Sequence, residues 1–205
     1  MSKRLSTLPA APATPVHFVP DGSGSGSGYG SIVMADNVAV VGTFPVTVSG
    51  DAVVHPRARL DAQAGPVNIG RRCIVAERAV VGGATGSPES TTAPEGSVTL
   101  ADYVSVETGA AVAAGAVVGQ GSVVQARSLV GAGAVIGRYC TLAPRTVIPP
   151  GTRVPDFTVV YGGGGQQRRD RRPAVAEARH REQARKIEVL RKLIASVPEK
   201  YAAAS

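Results

Sequence analysis

Residues 100–159 divide into ten consecutive sixes without a gap: LADYVS, VETGAA, VAAGAV, VGQGSV, VQARSL, VGAGAV, IGRYCT, LAPRTV, IPPGTR and VPDFTV, with Val160 opening the next. Each six starts with Leu, Val or Ile. The fifth place holds Val104, Ala110, Ala116, Ser122, Ser128, Ala134, Cys140, Thr146, Thr152 and Thr158, small or β-branched every time. In an extended chain a residue and the one two before it share a face, so each first position and the fifth position preceding it point the same way. A large aliphatic beside a small residue at every sixth step suits the wall of a narrow prism. Three sixes make one coil of 18 residues, stacked on the last at roughly 4.8 Å as parallel strands. Glycines at intermediate places, such as Gly109, Gly115 and Gly121, permit the bends between walls. A sandwich or barrel of short Val-rich strands also uses Gly-rich turns, but it imposes no fixed period of six over some sixty residues.

The same phase continues upstream as VSGDAV, VHPRAR and LDAQAG, then IGRRCI and VAERAV, after a three-residue slip at Pro66, Val67 and Asn68. Two weaker blocks, MADNVA and VVGTFPVT, precede them, so about six coils fit between Met34 and Val160. The polar stretch Gly82 to Ser97 breaks the frame and reads as a loop protruding from a turn. These boundaries give three segments. Residues 1–30, with four Pro and a Gly-Ser alternation, are expected to be a disordered arm. Residues 31–165 form the solenoid, with its insertion at 82–97. Residues 166–205 form a basic linker and an amphipathic helix running from Pro173 to Pro198. In that helix Ile187, Leu190, Ile194 and Val197 make one apolar stripe, which must be buried against something.

The formal charge of +7 is not spread over a folded face. Residues 31–165 balance nine Arg against nine acids, whereas residues 166–205 hold eleven Lys/Arg against five acids. The basicity therefore belongs to the C-terminal segment. Arg168, Arg169, Arg171 and Arg172 lack interleaved aromatics to stack bases, so no nucleic-acid partner is expected. Two cysteines cannot build a disulfide framework, and there is neither an apolar leader nor a run of about 18 apolar residues. The expected location is the cytoplasm, without direct membrane insertion.

Catalytic zinc needs about three protein ligands, commonly His. Only His17, His55 and His180 are present: His17 in the arm, His180 in the helix, and His55 alone on the solenoid. His55 stands second in VHPRAR, with Asp51 and Asp61 as the carboxylates that could orient it as a general base. Cys73 and Cys140 occupy the inward fifth position and read as core. The sixth positions face outward, and two of their rows are apolar: Ala111, Leu129, Val147, and Val117, Val135 before Arg153. Such rows want a cover, either the C-terminal helix or another protein. The candidate protein-interaction residues are therefore Ala111, Leu129, Val147, Val117, Val135, Ile187, Leu190 and Ile194.

The pattern as a whole resembles the hexapeptide-repeat class, from which the left hand of the coil is taken. More narrowly, GDAVVHPRARLDAQAGPVNIGRRCIVAERAVV, then VIPPGTRVPDFTVVYG followed by a basic helical end, resembles the dynactin subunit 6 family. That resemblance covers about residues 34–200. It implies a left-handed parallel β-helix and a non-catalytic adaptor without a cofactor, in the cytoplasm and on the cytoskeleton. Its implied partners are dynactin subunit 5, a p62-type subunit and the pointed-end actin-related protein, in support of dynein–dynactin cargo binding. The alternative within the class is a homotrimeric acyltransferase or a carbonic-anhydrase-like enzyme.

Overall fold

Short strands recur in strict rotation on three walls, making a parallel β-solenoid of about six turns followed by one C-terminal helix. The computed structural model describes residues 14–19, 32–83, 96–162, 166–171 and 174–202. Wall A carries seven strands, from Val16–Val19 to Arg153–Val154; wall C carries six, from Ala39–Gly42 to Val147–Ile148. Wall B runs from Val33–Met34 to Thr158–Tyr161, where Gln166–Arg169 folds back as an antiparallel eighth strand.

The register follows the period of the sequence. Leu100 lies opposite Val118, Val118 opposite Ile136 and Ile136 opposite Val154, one coil of 18 residues each time. The slip at Pro66–Asn68 lengthens one coil by three, so that Val53 pairs with Ile74. The next coil sets Val67 opposite Val98, and that span contains the expected insertion at 82–97. Residues 84–95 of it lie outside the described residues.

First and fifth positions fill the prism. Leu100, Val118 and Ile136 are buried beside Val104, Ala110, Ala116 and Ala134. Polar fifth positions are satisfied by the backbone: Ser122 Oγ donates to Gly137 O at 2.7 Å and Ser128 Oγ to Ala143 O at 2.7 Å. The thiols of Cys73 and Cys140 reach Ala101 O and Pro155 O, each at 3.0 Å. A hydroxyl or thiol at this place is thus a short core residue with a partner in the adjoining turn.

Two expectations need correction. The arm expected over 1–30 contains Val16–Val19, which pairs in parallel with Val46–Ser49 and begins wall A. Its alternation buries Val16 and packs Phe18 on the core, so it gains apolar contact as well as backbone pairing. The remainder of that segment, residues 1–13 and 20–30, lies outside the described residues. Nor are the bends reserved for small residues. The wall B–C corner is turned by Arg57, Arg78, Arg127 and Arg145, and the A–B corner by Asp51, Arg72, Tyr103, Tyr139 and Phe157, all at positive φ. That backbone costs a non-glycine residue roughly 1–2 kcal/mol. It is offset because the left-handed turn sends the amide to the coil before: Arg57 N donates to Asn37 O, Arg127 N to Thr108 O and Tyr139 N to Gln120 O.

The C-terminal segment closes edges the stack would leave open. At the first coil Ser196 bridges Ala35, Met34 N donates to Ser196 Oγ and Val197 N donates to Met34 O. The Tyr201 hydroxyl donates to Ala35 O and accepts from Val38 N. At the far end Gln166–Arg169 pairs the last strand of wall B.

Candidate functional site

The helix Val175–Leu193 lies along the outer face of wall B, so the site positioned by this fold is the seam between them. Its Ala, Glu, Arg and Lys content favours helix, and Glu177–Arg181, Glu182–Lys186 and Glu188–Lys192 are spaced to pair along its exposed side. Ile187, with Leu190 and Ile194, packs on Val33, Val53 and Ile74 of the first three coils. Farther up, Gln183 Nε2 donates to Arg72 O and Val104 O, and Arg179 donates to Gly121 O, Cys140 O and Thr141 Oγ1. His180 stacks on Tyr103 at 4.0 Å and shares a 3.2 Å hydrogen bond with the Tyr139 hydroxyl. Below this stretch a cavity of about 420 Å³ separates helix from wall, with Ser105, Glu107 and Gln125 on its floor and Gln183 above.

The apolar stripe expected of the helix thus meets its own solenoid: Ile187, Leu190 and Ile194 are spent on wall B. The outward rows take no cover from the helix. Ala111, Leu129 and Val147 are in register on wall C, and Val117 and Val135 on wall A, with Val117 37% and Val147 45% exposed. The wall C row continues through Val80, Arg59 and Ala39, leaving Arg59 its one charged member.

His55 stands at the B–C corner, half-buried, where the second coil passes from wall B to wall C. Burial lowers its pKa below 6.5, and the Glu77 carboxylate acts in the opposite sense. The carboxylates expected beside it are engaged elsewhere. Asp51 pairs with Arg72 at 3.1 Å and with Arg191, and Asp61 accepts from Arg59 and from Gln63 N. The carboxylate whose charge reaches His55 is Glu77 of the next coil, which is itself paired with Arg57 at 3.1 Å; the sequence signal was the stacking of VAERAV beneath VHPRAR. His17 projects from wall A in its first strand, not from an arm, and His180 rides on the helix. Among the described residues no three His, Cys, Asp or Glu side chains converge as a metal site. Burial pushes the Cys73 thiol up to about 12, as a core thiol requires. Arg168 and Arg169 sit on the added strand of wall B, exposed. No helix among the described residues is long and apolar enough to cross a membrane.

No protein-family model matches the sequence, nor does any curated protein. Solved structures do match. A hexapeptide transferase family protein from Anaplasma phagocytophilum is 15% identical with a TM-score of 0.61, covering 86% of this chain and 97% of that one. An N-acyltransferase from Bacillus cereus is 12% identical with a TM-score of 0.40, covering 85% and 86% of the two chains. A hexapeptide-repeat acetyltransferase from Vibrio cholerae is 15% identical with a TM-score of 0.37, covering 64% and 69%. The first likeness establishes the fold, a left-handed parallel β-helix of hexapeptide repeats. The narrower expectation is corrected: the neighbour that establishes the fold is a hexapeptide transferase family protein and not a dynactin subunit, so the non-catalytic adaptor reading, and with it the expectation that the chain is no enzyme, is set aside.

Proposed function

We propose that the chain is an acyltransferase of the hexapeptide-repeat type, working as a homotrimer, with His55 as the general base. The observation that carries this reading is the setting of His55. Its imidazole is half-buried, unprotonated at neutral pH because burial lowers its pKa, and placed at the margin of the apolar wall C that the helix leaves bare. A second copy seated on wall C would enclose His55 in a cleft between subunits. Likeness to a hexapeptide transferase family protein over nearly its whole length supports the same chemistry.

In that cleft the neutral imidazole takes the proton from an acceptor hydroxyl or amine as its oxygen or nitrogen attacks the carbonyl of an acyl thioester. The new ester or amide bond forms, the carbon–sulfur bond breaks, and the imidazolium returns the proton to the departing thiolate. Glu77 favours the imidazolium while it lasts. The test is thiol release from acetyl-coenzyme A by the full chain with a panel of amine and hydroxyl acceptors. Activity should fall by about 10²-fold or more in His55→Asn. If no acceptor promotes release, or the variant keeps the wild-type rate, the reading fails.

A further inference from the structure

The cavity beneath the helix carries acceptors that no described residue uses. Ser105 is 8% exposed, and its hydroxyl makes no hydrogen bond to any described residue although it faces the helix. Gln183 is 6% exposed and lines the cavity; both its described bonds are donated by Nε2, which leaves Oε1 without a donor among the described residues. Glu107 receives Ala126 N on Oε2 at 3.2 Å, and its Oε1 has no described partner. Ser105 and Glu107 are two residues apart in an extended run, so they face the same side. Buried polar atoms cost free energy when unsatisfied, so the Ser105 hydroxyl and Gln183 Oε1, with the half-buried Glu107 carboxylate beside them, call for a donor.

The cations at the seam are already engaged, Arg179 with two carbonyls and Lys186 with Glu182. An anion would therefore meet no uncommitted charge, while a carboxylate and two neutral oxygens await a donor. An ammonium group offers three N–H donors and one positive charge. Val123, Val175 and Ala178 supply apolar surface for a short stem. We infer that the groove between the helix and wall B binds a primary ammonium group on a short aliphatic chain, held by Glu107, Ser105 and Gln183. This site lies apart from His55: Ala76 and then Glu107 follow His55 along the same corner, placing Glu107 two coils away. It stands or falls independently of acyl transfer.

The probe is n-butylammonium chloride, titrated into the full chain and followed by amide chemical shifts, with n-butanol and sodium butyrate as size-matched controls. Saturable binding in roughly the millimolar range, with shifts centred on Ser105, Glu107 and Gln183 and none comparable from either control, is the expected result. Glu107→Gln keeps an oxygen for Ala126 N and should weaken binding about tenfold or more. Ser105→Ala removes no internal hydrogen bond and relieves a buried unsatisfied hydroxyl, so it should weaken binding several-fold while the unfolding midpoint stays level or rises. Butyrate binding as well as butylammonium, absence of saturation, or indifference of the affinity to Glu107→Gln would each overturn the site.

Discussion

At the scale of single residues, two glycines on this scaffold separate strain from collision. Gly121 and Gly133 both turn corners at φ +65°. A Cβ on Gly133 would meet nothing within 4 Å, whereas one on Gly121 would lie 2.5 Å from the Tyr139 ring. Gly133→Ala should therefore cost only the left-handed backbone, about 1 kcal/mol. Gly121→Ala adds a displaced aromatic ring that also bonds His180, and should cost about 2–3 kcal/mol, read as a lower denaturant midpoint at unchanged slope. Equal losses in the two variants would show that the ring moves aside without cost. Residue roles were unevenly legible. Leu100 and Cys140 announced their inward places because burial selects size at a fixed period. The corner residues Arg57 and Tyr139 did not, because their backbone conformation is set by a main-chain hydrogen bond to the preceding coil, which selects no particular side chain.

Elements obey the same division. The stripe Ile187, Leu190, Ile194 could be read from its spacing, but the wall it covers could not, since the choice depends on Gln183 and Arg179 finding main-chain carbonyls at the seam. Carbonyls exist on every coil and carry no sequence signal. Ile187 is 3% exposed and joins the helix to three coils, so Ile187→Ala should cost about 2–4 kcal/mol of docking free energy. The solenoid has its own core, so the loss should appear as faster proteolysis within 175–193 at a nearly unchanged solenoid transition. Simultaneous loss of both would mean that helix and solenoid unfold as one unit. The helix also leads the chain back to the first coil, where Ser196 and Tyr201 complete the pairing of wall B. The element expected as a partner surface is thus largely an internal closure.

For the whole molecule, the linkage of His55 sets one pH dependence. Its folded pKa lies below 6.5, so between that value and about 6.5 the unfolded chain binds more protons and stability rises with pH. Above 6.5 the full stability is present; it declines as acid protonates the unfolded imidazole first, and His55→Asn should flatten that part of the curve. Unfolding midpoints measured from pH 5 to 8, falling equally in both proteins, would remove His55 as the cause. Assembly is the larger consequence. Wall B is covered by the helix, and its open edges are paired by the chain itself. Wall A is interrupted by Thr47, Asn68, Thr99 and Arg153 along its outward row. Wall C alone presents Val80, Ala111, Leu129 and Val147 in sequence, and a contact face must be drawn from such a row. Val147 is already 45% exposed, so Val147→Arg disturbs no core in the single chain. Light scattering should find the wild type trimeric and the variant monomeric with the same circular dichroism. A wild-type monomer at tens of micromolar would leave His55 facing solvent and take away the cleft on which the proposed acyl transfer depends.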